Sequence, residues 1–467
     1  MSLAALLRPL AALWVLVALV SVLAALAAVA VREVHLAPFF LVSTGLALVP
    51  GLLILSATQG MRVRASAMDA LGLAFLAWVT TPAVAALPFW ITGYFDPLDS
   101  LFEAYSAVTT TGATLLPADQ LPRSLVFWRA ILGWMGGYAT LLLAIAVFAA
   151  LDRDVPAIRR SPLLTIRADN VFSHLQQSAR RVGLIYALVT GLVWLALLVS
   201  GTEVFNATVL AMGAVSTSGY TPADGGLLAA FGFWPMVIVA VGCLAGSVNV
   251  ALFWDVLRDR GVLRDPDLAG MTALILGLAL LYGLAAPHAL HTHILDALFM
   301  VTTAGYSTTG ALSPVPVAAV FVALIGGSAA STTGGVKISR ILLLWRRMGS
   351  ELAVLSDPSS VAPVTFRGRP AQDNALVGIW AYVLGFVACL GFGTLFLAIG
   401  GLDFETAFLA NAAALANAGP LLNEVHIGDG WRDIADNAKP ILISAMVLGR
   451  LEVLAALAAI WALIIRK

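Results

Sequence analysis

Ten apolar runs, each long enough to cross a bilayer, set the terms on which this chain can fold. They lie near residues 9–31, 38–57, 68–92, 125–150, 182–200, 229–254, 268–286, 316–344, 375–400 and 438–465. About 20 apolar residues in a helix span the hydrocarbon core. The sequence therefore predicts an all-α polytopic membrane protein. Charged residues make up only 11% of the 467, against about 25% in a soluble chain. The formal net charge is zero, so there is no basic footprint for nucleic acid. Cys243 and Cys389 both sit in apolar runs and read as small core fillers rather than a disulfide or metal pair. The first run follows Arg8 and ends in AALAAVA, loosely like a signal peptide. Its length and the span that follows favour a retained helix.

Four shorter apolar stretches, near 99–109, 203–215, 296–307 and 404–416, are too short to span and suit re-entrant half-helices. With the N-terminus placed in the cytoplasm, Arg62, Arg64, Arg153, Arg159, Arg160, Arg167, Arg180 and Arg181 fall inside. So do Arg258, Arg260, Arg264, Arg346, Arg347, Arg367, Arg369, Arg466 and Lys467, against only Arg32, Arg123, Arg432 and Lys439 outside. That bias follows the positive-inside rule and puts both termini in the cytoplasm. All four short stretches then fall on the external side.

From residue 68 onward one unit recurs: span, short stretch, Thr/Ser/Gly segment, span. The segments are SAVTTTGATLLP (106–117), GAVSTSGYTPA (213–223), AGYSTTGALSP (304–314) and AALANAGPLLN (413–423). Stacking their glycines aligns Gly112, Gly219, Gly310 and Gly419. Asp99, Glu203, Asp296 and Asp403 read as acidic caps opening the four short helices. Non-helical backbone at membrane depth must line a cavity or be buried in protein. Four such segments around one axis would offer rings of carbonyl oxygens that replace the hydration shell of a monovalent cation. Glycine permits the backbone angles this needs.

FEAYSAVTTTGAT (102–114), FWRAILGWMGG (127–137), GGSAASTTGGVKISRILLL (326–344), NAGP (417–420) and AMVLGRLEV (445–453) together resemble the Trk/Ktr/HKT superfamily of potassium transporters. Two spans ahead of the first repeat resemble its TrkH/TrkG-type membrane subunits. The resemblance implies four span–pore-loop–span repeats around a single pore, preceded by two extra transmembrane helices. Residues 1–60 would form those two helices, 61–165 repeat 1 (filter 110–113) and 166–260 repeat 2 (filter 217–220). Repeat 3 would occupy 261–350 (filter 308–311) and repeat 4 351–467 (filter 417–420). Carried over by position, the potassium-binding residues would be Thr110, Thr111 and Gly112; Thr217, Ser218 and Gly219; Thr308, Thr309 and Gly310; and Asn417, Ala418 and Gly419. Glycine at all four positions favours potassium. Sodium-permeable or weakly selective transport in the same architecture is the alternative. The third segment departs from the family's usual TTTGFAT, and SVNVALFWDVLR (247–258) follows the second-repeat pattern only loosely.

Residues 326–337, GGSAASTTGGVK, cannot form a stable lipid-facing helix. They read either as a close-packing patch or, by the resemblance, as an intramembrane gating loop. On the second reading Gly326, Gly327, Ser328, Ser331, Thr332, Thr333, Gly334, Gly335 and Lys337 carry the gate. Lys337 is also a candidate cytosolic anchor. Arg450, deep in the last span, must face the bundle interior, either paired with another repeat or tuning the pore. Glu452, two positions on, is a poor partner for it. Arg129 reads as a support for the first filter, and Asn249 as a bond within the bundle. His288, His291 and His293 read as a solvated loop rather than a metal site.

The chain has no nucleophile–base motif, no intramembrane carboxylate pair and no phosphate loop, which speaks against an enzyme. Four parallel repeats speak against a transporter with inverted halves. The expected substrate is the potassium ion, with no organic cofactor in this chain. The resemblance further implies a homodimer in the bacterial inner membrane. It also implies cytosolic TrkA-type subunits binding NAD or ATP, for which the arginine-rich stretch 153–181 is a candidate docking surface. Transport down the gradient and symport with another cation are both compatible with it.

Overall fold

The computed structural model describes residues 3–61, 67–151, 171–255, 265–287, 290–357, 359, 363–367, 369–371, 373–425, 430–451 and 456. Most of the arginine-rich stretch, 153–170, lies outside those residues. So do Arg62, Arg64, Arg258, Arg260, Arg264, His288, Glu452, Arg466 and Lys467.

The described helices are, in chain order, α1 (Leu3–Ala30), α2 (Ala37–Ala57), α3 (Ala67–Ala85), α4 (Leu87–Ile91), α5 (Pro97–Val108), α6 (Arg123–Leu151), α7 (Val171–Val199), α8 (Val204–Val215), α9 (Leu227–Phe231) and α10 (Phe233–Ser247). They continue with α11 (Val250–Asp255), α12 (Pro266–Ala285), α13 (Leu290–Val301), α14 (Pro316–Ile325), α15 (Ile338–Ser356), α16 (Asp373–Ile399), α17 (Phe404–Leu415), α18 (Pro420–Val425) and α19 (Lys439–Leu451). A two-stranded hairpin, β1 (Thr365–Phe366) with β2 (Arg369–Pro370), joins α15 to α16.

Seven helical stretches among the described residues are long and apolar enough to span a membrane. Three of the ten expected spans differ. The run at 229–254 breaks at Val248 after a 15-residue α10. There Asn249 Oδ1 accepts the Ala251 amide at 2.9 Å and starts α11. The run at 316–344 breaks around 326–337, where glycine and hydroxyl residues replace the apolar pattern. The last run is described as helix only through α19 and at Ala456.

Long helices form the outside of the bundle. On α7, Leu184, Leu188, Leu192 and Leu195 are all exposed, the helical spacing of a stripe that faces lipid. α1 and α2 form a hairpin, and α1 also packs on α3 and α6. The centre is different. The four short stretches become α5, α8, α13 and α17, each 12 residues long, and their C-terminal ends carry the densest set of buried polar residues.

Two of the four expected acids stand at N-cap positions: Asp403 caps α17 through its side chain, whereas Glu203, at the N-cap of α8, makes no capping bond and pairs with Arg123. The other two do not. Asp96, one residue before Pro97, caps α5 by accepting the Asp99 amide at 2.8 Å, so Asp99 is free to pair with Lys439. α13 begins at Leu290, which leaves Asp296 in mid-helix with another task.

Candidate functional site

Each short helix ends in the same backbone turn. After Val108, Val215, Val301 and Leu415 comes one further residue, then one with positive φ: Thr110 (54°), Thr217 (52°), Thr303 (55°) and Asn417 (49°). Two residues later stand Gly112 (75°), Gly219 (73°) and Gly305 (61°), in a region L side chains rarely adopt. Gly419 is the fourth member, without a positive φ. Amides fold back alike: Thr110 to Ala107, Thr217 to Ala214, Thr303 to Met300 and Asn417 to Ala414, at 2.9–3.1 Å.

The third segment is therefore Thr302-Thr303-Ala304-Gly305, five residues before the expected Thr308, Thr309 and Gly310. A second offset agrees. Glu103 lies nine residues before Gly112 and accepts the Leu115 amide at 2.7 Å. Asp296 lies nine residues before Gly305 and accepts the Thr308 amide at 2.8 Å. Both acids thus hold the chain that leaves the turn. Thr308 Oγ1 also donates to Asp296, at 2.9 Å. The Ser307 and Thr308 carbonyls accept the Leu227 and Leu228 amides and so complete the N-terminus of α9. Thr309 and Gly310 are exposed. Segment 307–310 is a clasp between the chain leaving α13 and the start of α9, with its own hydroxyls and turn glycine.

The four turns meet. A Cβ on Gly112 would strike the Ser218 carbonyl, one on Gly219 the Ala304 carbonyl, and one on Gly419 the Thr111 carbonyl and Ala113 amide. The Pro420 ring lies before Gly112, Gly219 and Gly305 together. Contact thus runs from segment 1 to 2, 2 to 3 and 4 back to 1 around one centre. Thr109, Thr110, Thr111, Ser216, Thr217, Ser218, Thr302, Thr303 and Asn417 are at most 1% exposed.

Hydroxyls brace the ring from behind. Thr109 and Thr111 Oγ1 lie 2.7 Å apart, and Ser216 and Ser218 Oγ 2.9 Å apart. Tyr306 OH donates to the Tyr220 carbonyl at 2.9 Å, and Tyr220 OH meets Ser106 Oγ at 3.4 Å. The buried pair Arg129–Glu103 (2.9 Å) secures segment 1, with Arg129 Nη1 also donating to Leu116 O. The fourth segment is unlike the rest. Its Ala416 and Ala418 have no hydroxyls, Asn417 Nδ2 donates to Thr111 Oγ1 and Met446 O, and the Gly419 carbonyl accepts from Trp431 Nε1 at 2.8 Å.

Residues 326–336 are buried throughout, and they touch segments 2, 3 and 4 on the side of the positive-φ residues. Thr332 Oγ1 meets Thr217 Oγ1 at 3.1 Å. The Gly334 amide donates to Thr303 Oγ1 at 3.0 Å, and Gly334 itself lies against the Ala416 carbonyl with no room for a Cβ. Segment 1 is reached through Arg450. Its Nε donates to Thr109 O at 2.8 Å, its Nη1 to Thr332 O at 2.7 Å, and its Nη2 to Thr110 Oγ1. No carboxylate pairs with Arg450 among the described residues, so carbonyl dipoles satisfy this buried charge. Lys337 does not reach out as an anchor: its Nζ turns back onto Thr333 O and Oγ1. Sequence reasoning missed Asp267. Fully buried on α12, it accepts from Ser328 Oγ at 2.6 Å and pairs at 3.1 Å with Arg367 of the β1–β2 turn.

Beyond the glycines, on the face away from this loop, lies a cavity of about 220 Å³ bordered by Gly112, Gly219, Gly305, Pro420, Asp224 and Glu424.

The family described as TrkH, cation transport protein, matches residues 76–275 and 274–463. The chain belongs to the TrkH family. That family is one of transporters, not enzymes, and its members are multi-pass membrane proteins. Among relatives, the Trk system potassium uptake protein TrkH of Escherichia coli K12 is 31% identical over 402 residues, 81% of this chain and 82% of that one. TrkI of Halomonas elongata is 28% identical over 97% of this chain and 95% of its own. The crystal structure of the potassium transporter TrkH from Vibrio parahaemolyticus superposes with a TM-score of 0.86 at 26% identity, covering 98% of both chains. The TrkH fold thus accounts for nearly the whole chain.

Proposed function

We propose that this chain takes up potassium across the bacterial cytoplasmic membrane through a single pore at the centre of four repeats. The observation that carries this reading is the cyclic meeting of four glycine turns at the ends of four 12-residue helices. The filter residues are Thr110, Thr111 and Gly112; Thr217, Ser218 and Gly219; Thr303, Ala304 and Gly305; and Asn417, Ala418 and Gly419. Their carbonyls stand in for the water that an entering ion gives up. The loop from Gly326 to Lys337, fastened by Arg450, closes the cytoplasmic end of the filter, and its release opens the path. Both termini lie in the cytoplasm, two chains form a homodimer, and a cytosolic TrkA-type subunit binding NAD or ATP moves the loop. The naming of its relatives as potassium uptake proteins supports the potassium assignment.

A weakly selective, sodium-permeable version draws on one observation. The Gly419 carbonyl is engaged by Trp431 and the Thr111 carbonyl by the Gly419 amide (2.6 Å), which reduces the oxygens free to face an ion. Growth rescue of potassium-uptake-deficient bacteria at limiting potassium, with and without the TrkA-type partner, tests the main reading. Correct membrane insertion without rescue would refute it.

A further inference from the structure

The cavity beyond the glycines holds a group that the conduction reading leaves unused. Glu424, on α18, is 8% exposed, and its Oε1 has no hydrogen-bond partner among the described residues. It borders the same cavity as Gly112, Gly219 and Gly305. A carboxylate removed from water without donors is costly, so such a group either stays protonated or takes a cation. The neighbouring acids are already supplied. Asp224 accepts the Ala118 and Asp119 amides at 3.0 Å each, and Asp296 is held by Thr308. Arg129 also borders the cavity, but its charge is matched by Glu103. The volume of about 220 Å³ admits several waters, each taking about 30 Å³ in the liquid, so an ion can wait there with part of its shell.

We propose that Glu424 is an external cation site. Its carboxylate binds one monovalent alkali cation in this antechamber, immediately ahead of the glycine ring and in competition with a proton. The site rests on the reading of that ring as the conduction path. The charged and titratable groups around Glu424 are set by the elements packed near it: α14 carries none, α17 only Glu405 in its first turn, and the cavity wall adds Tyr220 and Tyr306. From α13 come Asp296, which interacts with it electrostatically, and His293, whose Nε2 meets Ala286 O. From α12 comes Tyr282, whose hydroxyl accepts from Ser313 Oγ. Asp224 and Arg129 face it across the cavity. Arg432 and the exposed Asp433 belong to the 3-10 turn that packs on α18, with Arg432 turned to Leu115 O. None of these supplies a cation to Glu424 Oε1.

The test is ⁸⁶Rb⁺ uptake by the full-length protein in proteoliposomes, with the half-saturating external Rb⁺ measured between about pH 8 and about pH 5.5. In the wild type that concentration rises as external pH falls. In Glu424→Gln it is about tenfold higher at neutral pH, the effect of one charge on local cation concentration, and it no longer varies with pH. A Glu424→Gln protein with wild-type half-saturation and wild-type pH dependence would overturn the site. Should that variant not reach the membrane, the wild type alone decides: half-saturation that does not change across the pH range overturns the proposal. Wild-type vesicles that take up no Rb⁺ would instead overturn the conduction reading, and the site with it.

Discussion

If the third filter segment ends at Gly305 rather than Gly310, the two glycines must respond differently to the same substitution. Both have positive φ, 61° and 74°, so alanine at either site costs about 1–2 kcal/mol of backbone strain. Both are also tight: a Cβ at Gly305 would lie 2.9 Å from Pro420 Cβ, and one at Gly310 3.0 Å from the Gly226 nitrogen. Stability therefore does not separate them. Position does. Gly305 abuts Pro420 at the centre of the ring, so relieving the clash moves Pro420 and the turn around Thr303–Gly305. Gly310 is exposed on the clasp with α9, and relief there moves Gly225–Gly226. A differential loss of about 1.4 kcal/mol between potassium and sodium changes their ratio tenfold. We expect Gly305→Ala to lower the potassium-to-sodium permeability ratio about tenfold or more, and Gly310→Ala to leave it within about twofold of wild type. The assay is bi-ionic reversal potential, or competitive Rb⁺ uptake against sodium, on protein checked for membrane insertion. Lost selectivity in Gly310→Ala with selectivity intact in Gly305→Ala would refute the assignment.

Arg450→Gln removes the donors to Thr109 O, Thr110 Oγ1 and Thr332 O. Bonds to a charged donor are worth about 1.5–3 kcal/mol each, so Rb⁺ flux without any regulatory subunit should rise at least about tenfold, and unchanged basal flux would count against the latch. Asp267→Asn leaves Arg367 with a weakened partner and loosens Ser328. Breaking a buried pair costs about 3–5 kcal/mol, so thermal unfolding in detergent should shift to lower temperature, more than for Ser328→Ala. Asp403 caps α17, and hydrogen bonds from the Thr406 hydroxyl and amide hold its carboxyl below the usual range. Its contribution is complete above the unfolded value of about 3.9 and is lost as pH falls through the lowered folded value. Asp403→Ala should therefore destabilise at neutral pH and make little difference in strong acid.

The architecture was legible because apolar length is a coarse signal that survives any sequence detail. A run of twenty-odd residues and a run of twelve cannot do the same thing in a bilayer, and α5, α8 and α17 appear where the short runs stand, with α13 shifted six residues earlier than expected. The glycine turns proposed as the filter were legible in the first two segments, where VTTTG and VSTSG repeat almost letter for letter. In the third segment the sequence pointed to Gly310, whereas the turn matching the other three falls at Gly305, because two hydroxyl-rich glycine turns lie five residues apart. STTG at 307–310 matches the first two repeats in side-chain chemistry better than TTAG at 302–305. The turn itself selects backbone geometry, and Ala304 costs it only one bracing hydroxyl. Two signals in the sequence pointed to the right frame: the valine that ends each of the first three short helices, and the acid nine residues before the glycine in repeats 1 and 3. Asp267 left no such mark. An aspartate near a helix start reads as a cap, and only the fold brings it under Ser328.

The way the loop is fastened fits a device that must open. Its ties are few: Thr332 bonds Thr217 and Val215, Gly334 bonds Thr303, Arg450 links Thr332 to Thr109 and Thr110, and Gly334 only packs on Ala416; each neutral bond is worth about 0.5–1.5 kcal/mol net. Glycine and small side chains let the backbone pack here without the apolar interlock that would make closure permanent. Moving such an element from 1:99 to 99:1 takes about 5.5 kcal/mol of differential binding, which is within reach of a protein partner. On the proposed gating reading, the β1–β2 turn would offer a route by which a partner could act on the loop. Arg367 pairs with Asp265 and Asp267 at 2.9 and 3.1 Å, and Asp267 holds Ser328. A partner that draws Arg367 away would leave a buried carboxylate beside Ser328 with less compensation, and the cost would fall on the closed state.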